Sequence, residues 1–216
     1  MLEKMSEFFE QRLDGYDAHM LNDIESAREF YPYTASLLPT FPECRVLDLG
    51  CGTGLELEFY FACNPTAHVT GIDLSEGMLA ALRAKFPDKA VELVAASYFD
   101  LPLGENLYDA AVSVESLHHF TKEQKIPLYA KLHKALKDGG YFVLTDYFAP
   151  DEQAEREHRQ TLLTLMAEQG IADGAFYHYD TPLTVGHETE ALLSAGFSTV
   201  EVMNKWGNTC TVVAKK

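Results

Sequence analysis

Residues 46–54 run Val-Leu-Asp-Leu-Gly-Cys-Gly-Thr-Gly, and no other stretch restricts the fold as strongly. Apolar residues around a single acid indicate a buried strand. Glycines follow at 50, 52 and 54, and residues 55–62 are apolar enough for a core helix. A strand that passes through glycines into a helix sets bare backbone N–H groups and a helix N-terminus beside a ligand. The spacing is G-x-G-x-G. A dinucleotide fingerprint, G-x-G-x-x-G, would need glycine where Leu55 stands, which argues against a nicotinamide-dependent dehydrogenase.

The rest of the chain alternates strand and helix around this stretch. Strands are expected at about 45–49, 68–73, 91–95, 108–114 and 141–146, with helices at about 55–62, 76–85 and 122–136 between them. That rhythm builds βαβ units and a doubly wound, mostly parallel sheet. Asp73 closes the second strand about 20 residues beyond the glycines, where a carboxylate can accept both hydroxyls of a ribose. Ser75 is a natural N-cap for the helix that carries Met78, Leu79 and Leu82 on one face. Residues 108–114 are apolar on both faces, as a central parallel strand should be. Glu115, His118 and His119 follow at its C-terminal end, the edge where open α/β sheets bind ligands. In the next helix Pro127 is awkward, so the helix is expected to begin near Ile126 or to kink there. Asp138-Gly139-Gly140 is expected to end it.

Residues 1–40 are expected to be helical, with a break at Asp14-Gly15 and with Pro32 starting or breaking a helix that ends near Pro39. Residues 150–169 form an amphipathic helix with Leu162, Leu163, Leu165 and Met166 on its apolar side, and 170–174 break it. Phe176, Tyr177, His178 and Tyr179 come next. The whole of 149–183 is taken as an insertion that roofs a substrate pocket, with a dimerisation or packing element as the alternative. A last helix at 184–195 precedes two strands, 198–204 and 208–214, whose short join at Lys205-Trp206-Gly207 makes them antiparallel.

In their order and spacing, these motifs resemble the class I S-adenosylmethionine-dependent methyltransferases. The resemblance covers residues 45–148 and 186–216. It rests on the glycine loop, Asp73, the Leu-His-His run at 117–119, Leu-Lys-Asp-Gly-Gly at 136–140 and the closing hairpin. It implies a Rossmann-like, seven-stranded, mostly parallel sheet with an antiparallel last strand, N-terminal helices and a helical lid insertion. One domain would span 1–216, with 1–40 as an N-terminal cap. The implied cofactor is S-adenosylmethionine, whose sulfonium makes its methyl group electrophilic, and the implied chemistry is an in-line displacement.

The resemblance also implies roles. Asp48, Gly50, Gly52 and Gly54 would form the floor under the methionine part, with Cys51 as a small packing residue in the loop. Asp73, with Leu74 beside it, would hold the ribose. Ser97 and Tyr98 would flank the adenine, although Ser97 stands where the family often has an acid. Glu115 would lie near the methionine amino group. Tyr16, paired with Asp17, belongs to a segment that closes over the cofactor in many relatives. His118 and His119 sit where an acceptor would meet the methyl group, and histidine suits proton removal near neutral pH. Their alternative role is to cap the next helix or shape the pocket. Tyr16, Tyr147 and Tyr177 can pack around a substrate cation.

Composition sets the remaining limits. The hydrophobic share is 47% and the charged share 23%, ordinary for an enzyme with a full core. A net charge of −16 repels phosphate backbones, so a small-molecule acceptor is expected and a nucleic acid is not. No apolar run approaches the roughly 18–20 residues of a membrane span. The first residues are polar and acidic, unlike a secretory signal, and a cytoplasmic monomer or homodimer is expected. Cys44, Cys51, Cys63 and Cys210 form no C-x-x-C pair, and no metal-ligand spacing stands out. Two other readings stay open: a different transfer chemistry on the same fold, and a cofactor-binding protein without activity.

Overall fold

The structure, a computed structural model, describes residues 1–172 and 175–216. Three helices come first: α1 (Met5–Gln11), α2 (Tyr16–Asp23) and α3 (Ala27–Ser36). Then β1 (Arg45–Leu49), α4 (Leu55–Cys63), β2 (His68–Asp73), α5 (Glu76–Lys85) and β3 (Val91–Ala95) form two successive βαβ units. β4 (Tyr108–Val114), α6 (Lys122–Ala135) and β5 (Leu136–Tyr147) follow, then α7 (Glu152–Glu168), α8 (Val185–Ser194), β6 (Thr199–Trp206) and β7 (Thr209–Lys215). The seven strands lie in the order β3-β2-β1-β4-β5-β7-β6. β7 runs antiparallel to both neighbours, while the pairs from β3 to β5 are parallel. The expected sheet is therefore the observed one.

Alternation along each strand divides the core between two faces. Val46 and Val112 face α3, α4 and α5, with Phe30, Leu57 and Leu82. Leu47, Leu49 and Ala111 face α6 and α8, with Leu128, Leu132 and Leu192. The chain reverses direction across the sheet between β1 and β4, and a crevice opens at the C-terminal ends of these strands.

Three local expectations need correction. Pro32 neither starts nor breaks a helix but sits inside α3, which buries Phe30, Tyr31, Thr34 and Ala35 around it. The helix survives because this packing outweighs one missing hydrogen bond. α6 follows the pattern expected over 122–136, and the later start near Ile126 that Pro127 suggested is not the observed one. It starts at Lys122, where Thr121 and Gln124 form a reciprocal capping box, and Pro127 lies within it. Asp138-Gly139-Gly140 does not end this helix. α6 stops at Ala135, and Leu136 already pairs with Tyr108. Gly139, at φ +77°, instead serves an irregularity in the β4–β5 pairing between Tyr108 and Ala110. Of the expected break at 170–174, Asp173 and Gly174 lie outside the described residues.

Candidate active site

The glycine loop is built by close approach. Gly50 adopts φ +74° and donates its N–H to Ile72 O at 2.8 Å. A Cβ at Gly50 would lie 2.6 Å from Ser116 Cβ and 2.1 Å from its Oγ. Around Gly52 the nearest atoms to a Cβ would be those of Tyr16, at 4.0 Å. The Gly52 N–H donates to Asp73 Oδ2 at 2.9 Å, and the Ser75 N–H donates to Oδ1 at 2.9 Å. Burial lifts the Asp73 carboxyl above the ordinary range, against the pull of these donors. Leu74, Tyr98, Glu115 and Tyr16 complete the cleft with Gly50, Gly52 and Asp73. Tyr98 Oη lies 3.2 Å from Ser116 Oγ. Glu115 reaches the cleft from a left-handed backbone conformation, φ +49°.

Four of the expected cofactor residues are not among those lining this cleft. Asp48 lies beneath the loop, 1% exposed, against Glu56 of α4. No donor group among the described residues reaches its Oδ2 or Glu56 Oε1, and a proton shared between the two carboxyls would satisfy both. Burial, then the neighbouring acid, raise the Asp48 carboxyl far above its usual range; burial raises that of Glu56 too. Cys51 packs its sulfur where a Cβ on Gly71 would come within 2.8 Å, and burial pushes its thiol up. Gly54 caps α4. The Ser97 hydroxyl accepts the Phe99 N–H at 3.2 Å and so closes a turn.

The N-terminal helices cover the cleft. Glu10 of α1 accepts from Ser75 Oγ at 2.6 Å and from the Gly77 N–H at 3.2 Å, at the start of α5. Asp17 of α2 accepts from Thr53 Oγ1 in the glycine loop and pairs with Lys85 at 2.8 Å. Met5, Phe9 and Tyr16 thereby lean over Gly52 and Asp73, and the cleft keeps about 50 Å³, room for a water or two.

Next to it lies a cavity of about 930 Å³. Phe9, Tyr16, Glu115 and His119 line both. His118 and His119 form a single 3-10 turn (Leu117–His119) at the end of β4. The Asp146 carboxylate holds this turn in place. It accepts from the Leu117 N–H at 2.9 Å and meets His118 Nδ1 at 2.5 Å. Burial alone would lower the His118 pKa, but Asp146 and Glu115 outweigh it and carry it to about 9. His119 goes the other way: burial, then repulsion by His118, push it down to about 4. Burial brings Glu115 up to about 7 against the attraction of His118. Tyr147, His178 and Asp180 also face the cavity, and the segment 149–183 contributes to the lining through the last two. In the sequence His178 lies in an aromatic run, and nothing in the neighbourhood of Asp180, Phe9, Met5 or Ser116 marks them as site residues. Phe8-Phe9 showed only helical spacing, and Asp180 carries no local signal.

A family model described as a methyltransferase domain matches residues 46–140. The chain is 32% identical to a tRNA (carboxymethyluridine(34)-5-O)-methyltransferase of Arabidopsis thaliana, over 67% of this chain and 35% of that protein. It is 34% identical to a phosphoethanolamine N-methyltransferase of Triticum aestivum, over 63% of this chain and 26% of the relative. The chain thus spans about a third or less of the length of these curated relatives. A solved S-adenosylmethionine dependent methyltransferase from Mesorhizobium loti superposes with a TM-score of 0.63 at 25% identity, covering 86% of this chain and 96% of that one. Over residues 46–140 in sequence, and over most of its length in fold, the chain resembles the class I S-adenosylmethionine-dependent methyltransferases. The cofactor of class I methyltransferases is S-adenosylmethionine, and the donor set in the cleft suits it. Asp73 can accept ribose hydroxyls, Gly52 leaves backbone open to a ligand, and Glu115 is an acid for an amino group. What the cleft lacks is room, since Phe9 and Tyr16 occupy it. As for location, no helix among the described residues is long and apolar enough to cross a membrane.

Proposed function

We propose that this chain transfers a methyl group from S-adenosylmethionine to a small-molecule acceptor held in the 930 Å³ cavity. One observation carries the reading: the cleft at the glycine loop and the cavity meet at Phe9, Tyr16, Glu115 and His119. A cofactor lying along Asp73 and Gly52 would present its reactive end at that junction. The relatives' names cover a tRNA nucleoside and phosphoethanolamine, so the resemblance leaves the acceptor open. The net charge of −16 disfavours a polyanionic substrate, and the concave cavity favours a small one.

When bound, the cofactor supplies an electrophilic methyl group on a sulfonium. The chain's own residues do the rest. Asp73, held in place by the Gly52 N–H, would accept the ribose hydroxyls, and Glu115 would meet the methionine amino group. Residues 1–40, as a cap of one domain spanning 1–216, exclude water above both cavities. Alignment of nucleophile and methyl group can supply roughly 7–11 kcal/mol. His119, whose pKa burial lowers to about 4, is neutral at pH 7 and can accept a hydrogen bond from the acceptor, although at that pKa it is a weak general base. His118, fixed by Asp146, carries the charge beside it.

The test has two arms. The protein is incubated with S-adenosylmethionine and fractionated metabolites, and S-adenosylhomocysteine is measured. Asp73→Ala is titrated with S-adenosylmethionine by calorimetry. Product formation in wild type, together with affinity weakened at least about tenfold in Asp73→Ala, is expected for loss of a charge-assisted bond pair. Wild-type affinity in the variant would remove the cofactor assignment.

A further inference from the structure

The methyl-transfer reading leaves one arrangement in the cavity unexplained. His118 Nε2 lies 3.6 Å from Asp180 Oδ1, and His119 Nδ1 lies 3.2 Å from the same oxygen. One ligand atom each from His118, His119 and Asp180 falls within 4.8 Å of the others. The His118 contact is too long for a hydrogen bond, and the His119 contact, close enough for charge attraction to Asp180, lacks the alignment of one. His119 Nδ1 is buried with no hydrogen-bond partner, and its residue is only 7% exposed. An imidazole nitrogen in such a place ordinarily finds a donor or acceptor. We propose that His118, His119 and Asp180 form a binding site for a divalent first-row transition-metal ion.

Three features support the assignment. The first is spacing. Metal–ligand bonds of about 2.1 Å at angles between tetrahedral and octahedral set neighbouring donor atoms about 3.0–3.4 Å apart. The two contacts to Asp180, at 3.2 and 3.6 Å, are close to that. The second is the outer shell. Asp146 faces His118 Nδ1 at 2.5 Å and so turns Nε2 toward Asp180. A carboxylate behind a ligating histidine fixes its tautomer and raises its basicity. Asp146 is held in turn by the Leu117 and Tyr147 N–H groups, at 2.9 and 3.0 Å.

The third feature is preorganisation. Asp180 belongs to an irregular segment, yet backbone bonds fix it at both ends. The Met5 N–H donates to Phe176 O at 2.9 Å, and the His178 N–H donates to Glu3 O at 3.0 Å. On the other side the Thr181 N–H donates to His118 O at 2.8 Å. The backbone thus ties the carboxylate directly to the histidine it would ligate with.

Two imidazoles and one carboxylate, with further positions open to a cavity, suit iron, cobalt, nickel or zinc rather than calcium or magnesium. A small molecule with an oxygen or nitrogen donor could complete the ion from the cavity side. The ion and a free proton acceptor are alternatives at His119 Nδ1. Binding of the ion does not depend on methyl transfer, so the two readings can fail separately.

The experiment uses the full chain, stripped of metal by chelator and dialysed. Co²⁺ is titrated while visible absorption is followed, and Zn²⁺ is then added as competitor. One equivalent of Co²⁺ with ligand-field bands, displaced by Zn²⁺, is expected. His119→Ala and Asp180→Asn should each weaken binding at least about tenfold, and Asp146→Asn should weaken it by about 10–100-fold as a positioning change. The Asp180 side chain is 45% exposed and Asn is nearly isosteric, so Asp180→Asn decides the matter if His119→Ala does not fold. Thermal unfolding confirms that each variant is native. His68→Ala removes a surface histidine paired with Glu43 at 2.7 Å and should leave Co²⁺ affinity unchanged. Absence of saturable Co²⁺ binding would overturn the assignment. So would wild-type affinity in Asp180→Asn, or loss of binding in His68→Ala instead.

Discussion

Substituting the first loop glycine tests why the loop has its shape. Gly50→Ala meets two penalties that the structure separates. Its φ of +74° costs an L-residue about 1–2 kcal/mol. Its new Cβ would also lie 2.6 Å from Ser116 Cβ, an atom that cannot rotate away as the Oγ can. Forced overpacking of this kind costs about 1–3 kcal/mol, for a total of about 2–5 kcal/mol. Gly52→Ala shares the positive φ, +47°, but its Cβ meets nothing nearer than Tyr16 at 4.0 Å. It should therefore cost only the backbone share, about 1–2 kcal/mol. Ser116→Gly removes the clashing atoms. In a double-mutant cycle measured by urea unfolding, it should cut the cost of Gly50→Ala to about that of Gly52→Ala. An equal cost for the two glycine variants, or a cost for Gly50→Ala that Ser116→Gly leaves unchanged, would refute the reasoning.

Other sites give further predictions. Lys125 and Glu188 pair at 2.6 Å with both side chains at most 2% exposed, and Tyr129 Oη donates to the same carboxylate. Lys125→Met should cost about 3–5 kcal/mol in urea unfolding, and adding Glu188→Gln should recover much of the loss, because the stranded charge is removed. Asp48 and Glu56 have folded pKa values raised above their unfolded ones, so the folded state binds more protons. Their contribution to stability is complete below the unfolded values near pH 4 and is lost as pH rises through the folded values. Glu56→Gln should therefore gain stability relative to wild type as pH rises above the unfolded value near 4, with a difference slope of up to about 1.4 kcal/mol per pH unit for one proton, until the folded carboxyl ionises. A pH-independent difference in paired unfolding curves would count against it. At Glu115, φ +49° inverts the usual order of substitutions: Glu115→Gly should be more stable than Glu115→Ala by about 1 kcal/mol in the same assay.

The sheet was legible because its information is local. Apolar runs such as 108–114 and strand ends such as Asp73 carry their position in their own neighbourhood. Pro32 and Pro127 mislead because proline's local tendency to break a helix is overridden by its surroundings. Buried Tyr31 and Thr34 hold one helix, and a capping box fixes the start of the other. The glycines at 139–140 resemble a helix stop, but only the pairing of Leu136 with Tyr108 shows that the strand has already begun. The candidate site divides in the same way. His118, His119 and Asp73 lie on motif-bearing strand ends and could be named in advance. Asp180 could not, because residues 3–5 and the His118 carbonyl fix its place, and both are far away in sequence. Ser97, by contrast, sits where the resemblance puts it, but its hydroxyl is committed to a turn.

A ligand too large for the closed cleft has to break the bonds of Glu10 and Asp17, so its binding would be coupled to raising the cap. Apparent affinity for anything that fills the cleft is the intrinsic affinity multiplied by the fraction of molecules with the cap raised. Each 1.4 kcal/mol in the two carboxylate contacts is a factor of about ten in that fraction. Salt and mutation at these partly solvated contacts can therefore tune occupancy while every group that touches the ligand stays the same. A tighter cap slows exchange and keeps water from the junction at His119, whereas a looser one captures ligand at lower concentration.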